Sequence, residues 1–420
     1  MSFKLVNTDS FQKGVIPSNN SGGGEDNSKF VYEIGEGKTY KTIQSAIQQY
    51  NIDRPVSVYE LPGTSIDVDR LTAIFKIYPG QYTEDITIPL RYSFLKFIGV
   101  DWSRVNEDNP VRFEGTVEVE PDSNPYIPDP GIPQLQLYNG EVIFENISFI
   151  HTSVQTENTI IIPNSESPSD LGIEIEFEKC YFNKQNITIG DQNEHYYKGC
   201  YLENIKIESV ASSTGDRTKL NFSNTTLQDF TFGDNKIRNL NINDCEIKSV
   251  LTGTSIKISG VCDIKNSIIN NVGKEVFIFD NTITFLPAPT LNIYNSNIIP
   301  NDTFIDINES GYNGKYIINI NNNVITNGFN VFTLMKLDNN SIAMDESTVT
   351  FINNTIINKN SGTDYNIIET EETYSSGGTL NVFYSSNILS RGFAANITKP
   401  GNANNINLTA GVSVTATTLP

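Results

Sequence analysis

From Ile74 onward, apolar and polar residues alternate, as in Phe75-Lys76-Ile77-Tyr78 and Asp85-Ile86-Thr87-Ile88, and the alternation breaks at turn signals such as Pro79-Gly80. A period of two puts every second side chain on one face of an extended strand, so strands are predicted for most of the chain. Only Thr39 to Tyr50 has a different period: Ile43, Ala46, Ile47 and Tyr50 fall at helical spacing. This predicts one amphipathic capping helix near 40–50, with Thr39 as its N-cap.

The alternation is itself part of a longer unit. An apolar pair at alternate positions meets a two-residue polar turn, then a small or polar residue, and then another apolar residue two positions on. Val142-x-Phe144 precedes Ile147-x-Phe149, Ile175-x-Phe177 precedes Cys180-x-Phe182, and His195-x-Tyr197 precedes Cys200-x-Leu202. The pattern continues through Leu220, Leu240, Cys262, Leu291, Ile318 and Val349, with a looser copy from Leu380 to Ile388. Successive copies start roughly 20 to 33 residues apart, which suits one coil of a solenoid with loops of variable length. The predicted fold class is all-β: a single-stranded right-handed parallel β-helix over about 31–395. A flexible tail at 1–30, a loop insertion at 121–133 and a capping strand or tail at 396–420 complete the organisation.

Stacking such coils brings equivalent residues into columns about 4.8 Å apart. Cys180, Cys200 and Cys245 then share one interior position with Thr225, Ser267 and Ser296, and Cys262 occupies an inward slot before Ile264. The cysteines therefore read as reduced core residues, and turn asparagines such as Asn146, Asn224, Asn266, Asn295, Asn322 and Asn353 as corner residues. His195 takes an inward slot and His151 begins a turn, so no zinc site is formed by two histidines. No glycine-rich phosphate loop or G-x-S-x-G elbow occurs. Neither a cofactor nor a metal is expected.

Composition narrows the partners. The chain carries 29 Lys and Arg against 49 Asp and Glu, a net charge of -20, without a basic block. Nucleic acid is a poor partner for such a surface. No apolar run reaches the roughly 18 residues of a membrane span, and the first residues have no signal-like run, so a soluble cytosolic product is expected. Ser18 to Gly24 is Ser, Asn and Gly only, the composition of a tail.

Several strings resemble the pectin lyase-like superfamily, and within it the pectin methylesterases. Gly37 to Ile47, with Tyr40-Lys41-Thr42-Ile43-Gln44-Ser45-Ala46-Ile47, is similar to the family's F-x-T-I-Q-x-A-I opening. Ile77 to Ile88 resembles I-x-P-G-x-Y-x-E-x-I-x-I, and Leu95 to Val100 resembles L-x-L-I-G. Asn146 to Thr152, Cys180-Tyr181-Phe182 and Cys200-Tyr201-Leu202-Glu203 resemble later coils. The resemblance implies the β-helix fold. It implies an esterase only if two aspartates, a nucleophile and an acid/base, are present with their supporting glutamines and arginine.

Aligned on the family's motifs, Ile187 falls at the first aspartate and Asn186 at the adjacent glutamine. Ile207 falls at the second aspartate, and Glu157 or Asn158 near the upstream glutamine. The arginine motif G-R-P-W has no counterpart, since Trp102 is the only tryptophan. Isoleucine neither attacks an ester nor carries a proton. The rival reading starts from Gln228-Asp229-Phe230-Thr231-Phe232-Gly233, which echoes V-D-F-I-F-G one coil late and pairs Asp229 with Glu203 or Glu208 as a glycosidase-like carboxylate pair.

The expectation is therefore a non-catalytic structural β-helix protein, by analogy a virion component (capsid, fibre or tail appendage) made in the host cytoplasm and acting as scaffold or attachment surface. Its partners would be other structural proteins of a particle or a glycan receptor, with self-association open and membrane insertion excluded. The alternatives are a carbohydrate-active enzyme (pectinesterase-, lyase- or glycosidase-like) and a glycan-binding surface adhesin.

Overall fold

Alternation over short runs, broken every few residues by a corner, builds coils in which most strands turn one side to the core and the other towards the surface; Asn186–Ile189 is buried throughout. A computed structural model describes residues 30–410 except 54–70, 91–92, 101–104, 122–140, 154–158, 163–172, 191–192, 210–217, 233–238, 250–255, 259, 272–276, 280–287, 301–303, 307–314, 328–332, 338–346, 359–365, 371–379, 390–396 and 399–405. The expected tail, the insertion at 121–133 beyond Pro121, and Trp102, Glu157 and Asn158 lie outside the described residues.

The chain winds as a three-faced parallel solenoid. A 14-stranded sheet forms the first face, a 12-stranded sheet the second, and two six-stranded sheets in succession the third. The first-face strands that open coils 1 to 6 are Leu71–Ile77, Ser93–Gly99, Glu141–Glu145, Glu174–Glu178, Glu194–Lys198 and Lys219–Ser223. Those that open coils 7 to 12 are Asn239–Asn243, Val261–Lys265, Thr290–Tyr294, Ile317–Asn321, Ser347–Ile352 and Leu380–Ser385. Val31–Ile34 pairs ahead of coil 1, and Ile406–Ala410 pairs behind coil 12. Ile406–Ala410 thus covers the first face of the last coil, and strand pairing continues beyond 395.

In-register stacking turns each repeat position into a column. One interior column runs Ile175, His195, Leu220, Leu240, Cys262, Leu291, Ile318 and Val349. Two residues further along each strand, Tyr32, Phe75, Phe97, Phe144, Phe177, Tyr197 and Phe222 form a continuous ring stack. Neighbouring centroids are 5.1, 4.5, 5.1, 5.3, 5.1 and 4.9 Å apart. Each such pair adds about 0.5–1.5 kcal/mol beyond the area it buries. From Ile242 on, isoleucine takes this column until Phe351.

The corner between the first and second faces needs a left-handed residue, and Asn146, Asn224, Asn266, Asn295, Asn322 and Asn353 supply it with φ of 49 to 59°. Asparagine tolerates this region better than most residues. The next position points inward and forms the column of Cys180, Cys200, Thr225, Cys245, Ser267, Ser296, Asn323, Asn354 and Asn387, all buried. Each oxygen here accepts the backbone N–H one coil back. Ser296 Oγ takes Ser267 N at 3.1 Å, Asn323 Oδ1 takes Ser296 N at 2.8 Å, and Asn354 Oδ1 takes Asn323 N at 3.0 Å. Corner amides that the strand ladders leave over are satisfied in this way.

The helix is Ile43–Asp53, displaced from the expected 40–50. Tyr40 is held in a bridge to Ile34, so Thr39 is not available as cap. Thr42 Oγ1 accepts Ser45 N at 3.1 Å instead, and the Glu84 carboxylate from coil 1 accepts Ile43 N and Gln44 N at 2.6 and 3.0 Å. Ile43, Ala46, Ile47 and Tyr50 are buried as the spacing requires, closing the first coil. Among the described residues, no helix is long and apolar enough to cross a membrane.

Candidate recognition face

Second-face strands in coils 4 to 6 are three residues long, Tyr181–Asn183, Tyr201–Glu203 and Thr226–Gln228. Their middle residues, Phe182, Leu202 and Leu227, are buried, and the flanking residues stand in two columns on the outer side, where Tyr201, Glu203, Thr226 and Gln228 are half-buried and Tyr181 is only 4% exposed. Tyr181 stands beside Tyr201, with ring centroids 5.7 Å apart at 34°. Hydrogen bonds run diagonally between coils: Tyr181 Oη donates to Glu203 Oε2 at 2.8 Å, and Tyr201 Oη donates to Gln228 Oε1 at 2.6 Å. Asn183 Nδ2 donates to Tyr181 Oη at 3.2 Å.

One rim of this face is the segment before Val111. Arg112 Nη2 donates to Glu107 O at 2.6 Å, and Ser148 Oγ donates to Asn106 O at 3.3 Å. On the other rim Lys184 Nζ donates to Thr152 O at 2.9 Å, beside the half-buried His151. Burial lowers the His151 pKa against the opposing pull of Glu114 and Asp85. Tyr181 is driven well above the ordinary phenol range, by burial first and then by its bond to Glu203. Burial and Glu203 also raise Tyr201. Both phenols therefore remain neutral at ordinary pH and are unsuited to nucleophilic attack; of the two, only the half-buried Tyr201 is open to a ligand.

The carboxylates singled out in the sequence are divided between two faces. Glu203 points out from the second face and accepts from Tyr181. Glu208 lies on the third-face strand Lys206–Ser209 and is ion-paired with Lys206. Asp229 follows Gln228, the register partner of Glu203, so the structure brings Asp229 and Glu203 onto adjacent coils and leaves Glu208 around the corner. Asp229 has a φ of 48° and occupies the same corner position as Lys184 and Asn204, at 58° and 54°. Its backbone N–H donates to Lys248 O at 3.1 Å. The backbone accounts for this residue before any chemistry is invoked.

Ile187 and Ile207 are register partners on the third face, each 1% exposed. The two-residue corners Lys184-Gln185 and Asn204-Ile205 reset the alternation, so Ile187 and Ile207 point inward; on the opposite side of these strands Lys206 and Glu208 are half-buried, whereas Asn186 and Thr188 are themselves covered, at 8% and 4% exposure. An aspartate at 187 or 207 would lie in the core, out of reach of a substrate. His195 is fully buried, as its inward slot implied, with neither ring nitrogen hydrogen-bonded and its pKa lowered to about 3 by burial. Among the described residues, no three of His, Cys, Asp and Glu come together as a metal-binding group.

The tyrosine diagonal was not foreseen. Its signal was Cys-Tyr-Phe-Asn at 180–183 and Cys-Tyr-Leu-Glu at 200–203, in which the residues flanking each buried one stack coil on coil.

Fold and face together define a parallel β-helix with an aromatic and polar outer surface on its second face. No family model and no curated protein matches the sequence. Among solved structures the chain is similar to DFA-IIIase from Arthrobacter chlorophenolicus A6 in complex with GF2, at 12% identity over 91% of this chain and 92% of that one, with a TM-score of 0.34. It is also similar to the pectin methylesterase from Aspergillus niger, at 15% identity over 91% and 85% of the two chains, with a TM-score of 0.23. Both have pectin lyase-like β-helix folds. Likeness at this level assigns no residue a role.

Proposed function

We propose that the protein is a non-catalytic β-helix scaffold whose second face, in coils 4 to 6, binds a glycan. The observation that carries this reading is the half-buried group of Tyr201, Gln228 and Glu203, which sets a neutral phenol, an amide and a carboxylate on a parallel sheet, with the buried Tyr181 ring packed beside Tyr201 and bonded to Glu203. Aromatic rings beside fixed donors and acceptors suit the mixed apolar and hydroxyl surface of a sugar. Titrating purified protein with oligosaccharides, neutral and uronic-acid-containing, tests it. Binding that Tyr201→Ala weakens at least tenfold is expected, and a protein that binds none of them refutes the reading.

An enzymatic reading is favoured by one observation, the adjacency of Glu203 and Asp229. Turnover of methylated pectin or another glycan that disappears in Asp229→Ala would establish that reading and end the scaffold one. The virion assignment, with synthesis in the host cytoplasm and other structural proteins of the particle as partners, belongs to the same proposal. Deleting residues 1–30 and measuring incorporation into an assembled particle tests the tail as the anchor.

A further inference from the structure

The second face changes character along its length. In coils 5 and 7 it carries Glu203, Glu246 and Lys248, whereas from Ile268 to Leu389 none of its described strands contains a charged residue. Three of the five exposed large hydrophobic side chains among the described residues lie on this stretch: Ile268, Val324 and Ile388, at 42, 43 and 44% exposure. The register places them in one outward column at coils 8, 10 and 12. Ile299 and Ile357 occupy the second outward column at coils 9 and 11, and the sites between are asparagine or threonine.

This checkerboard reads the same from either end when centred on Val324. Two-fold association requires a patch that is complementary to itself, and a pattern symmetric about one coil meets that requirement. We propose that coils 8 to 12 dock through this face against a second copy of the chain, about a two-fold axis lying along the strands of coil 10. The operation sets Ile268 over Ile388 of the second copy, Ile299 over Ile357 and Val324 over Val324, with Asn297 facing Thr355 and Thr326 facing Thr326. Electrostatics favours this contact over one through the charged coils, because two chains of charge -20 repel and an uncharged strip adds nothing to that repulsion. Four coil steps make the strip about 19 Å long, so it buries on the order of 200 Å² per copy. A stable dimer buries about 800 Å² per partner. The contact is therefore weak in dilute solution and grows where copies are held close together.

Chemical trapping reads such a contact. All four native cysteines are buried, so Val324→Cys supplies the reactive thiol, and a short bismaleimide joins copies that meet there. Thr226→Cys, in the same column at coil 6, is the control. Val324→Cys is expected to cross-link at least tenfold faster than the control. Adding Ile299→Glu and Ile357→Glu should abolish the excess while thermal melting stays unchanged. Equal rates for the two cysteines, or an excess that survives both glutamates, would overturn the proposal. If Val324→Cys does not cross-link while the two glutamates block capture of a different, purified particle protein, the face belongs to that partner and self-docking is refuted.

Discussion

Replacing His195 by leucine should stabilise the protein and remove part of its acid sensitivity. The ring lies in an interior column between Ile175 and Leu220, fully buried, with both nitrogens lacking a hydrogen bond. An unsatisfied buried polar group costs about 1–3 kcal/mol, so leucine, of similar volume and matching its neighbours, should gain on that order at pH 8. The pH dependence has a definite sign. The folded pKa is about 3 against an unfolded 6.5, so between those values the unfolded chain binds a proton that the folded chain refuses. Stability is thus whole above pH 6.5 and falls as the pH drops towards 3, by about 1.36 kcal/mol per unit. At pH 5 the loss from this residue is about 2 kcal/mol, and acidic groups elsewhere contribute equally in both proteins. Urea unfolding followed by circular dichroism at pH 8 and pH 5 isolates the difference. A variant less stable than the parent at pH 8, or one showing the same loss between the two pH values, would refute the argument.

Three further substitutions probe the frame. Glu84→Ala removes both acceptors at the helix start, Ile43 N and Gln44 N, and should cost about 1–2 kcal/mol, with Glu84→Gln intermediate, read as urea midpoints. Asn354→Ala leaves Asn323 N and Ile320 O without their corner partner and should cost about 3–5 kcal/mol. Asn354→Ser, which restores the arrangement at Ser296, should cost less in the same assay. Gly115→Ala would place a Cβ 1.8 Å from Glu84 O, so the backbone that carries the helix cap must move; a loss above about 3 kcal/mol is expected in thermal melts.

The repeat was legible because the solenoid repeats its interior as well as its outline. A slot that accepts Cys180, Thr225, Ser267 and Asn323 favours a compact side chain that can hydrogen-bond to the backbone, and that preference shows in the sequence as a position. The corner asparagines were legible for the same reason, since a left-handed φ restricts residue choice. The second corner was not. It is two residues long in coils 4 to 6, and Lys184, Asn204 and Asp229 share a backbone conformation without sharing chemistry. Asp229 therefore stood out as a carboxylate where the structure shows a corner. Parity also decides Ile187 and Ile207: counting through that corner turns them inward, which a motif alignment by eye does not register. The tyrosine diagonal joins different columns of adjacent coils, so the two Cys-Tyr strings show which residues stack and leave the cross-column pairing to the structure.

Coils 6 and 7 mark a boundary along the solenoid, and the protein is expected to loosen there first. The third-face sheet of coils 1 to 6 ends with Thr231–Phe232, and a separate sheet begins with Ile256–Ile258, so among the described residues two ladders instead of three cross the boundary. The aromatic stack also ends at Phe222, after which Ile242 follows in the same column. In a solenoid each coil is stabilised by its neighbours, so a junction lacking one ladder and the next ring is where cooperativity is weakest. Coils 8 to 12 depend on the polar corner ladder from Ser267 to Asn387 and on isoleucine columns, with less aromatic burial per coil. Hydrogen exchange in increasing urea should therefore show peptides from 239–389 losing protection at a lower concentration than peptides from 141–232. Filling the step with Ile242→Phe would extend the ring stack across the boundary and should narrow the gap between the two midpoints. If both regions exchange at one midpoint in the parent protein, the missing ladder has no energetic consequence and the boundary is one of shape alone.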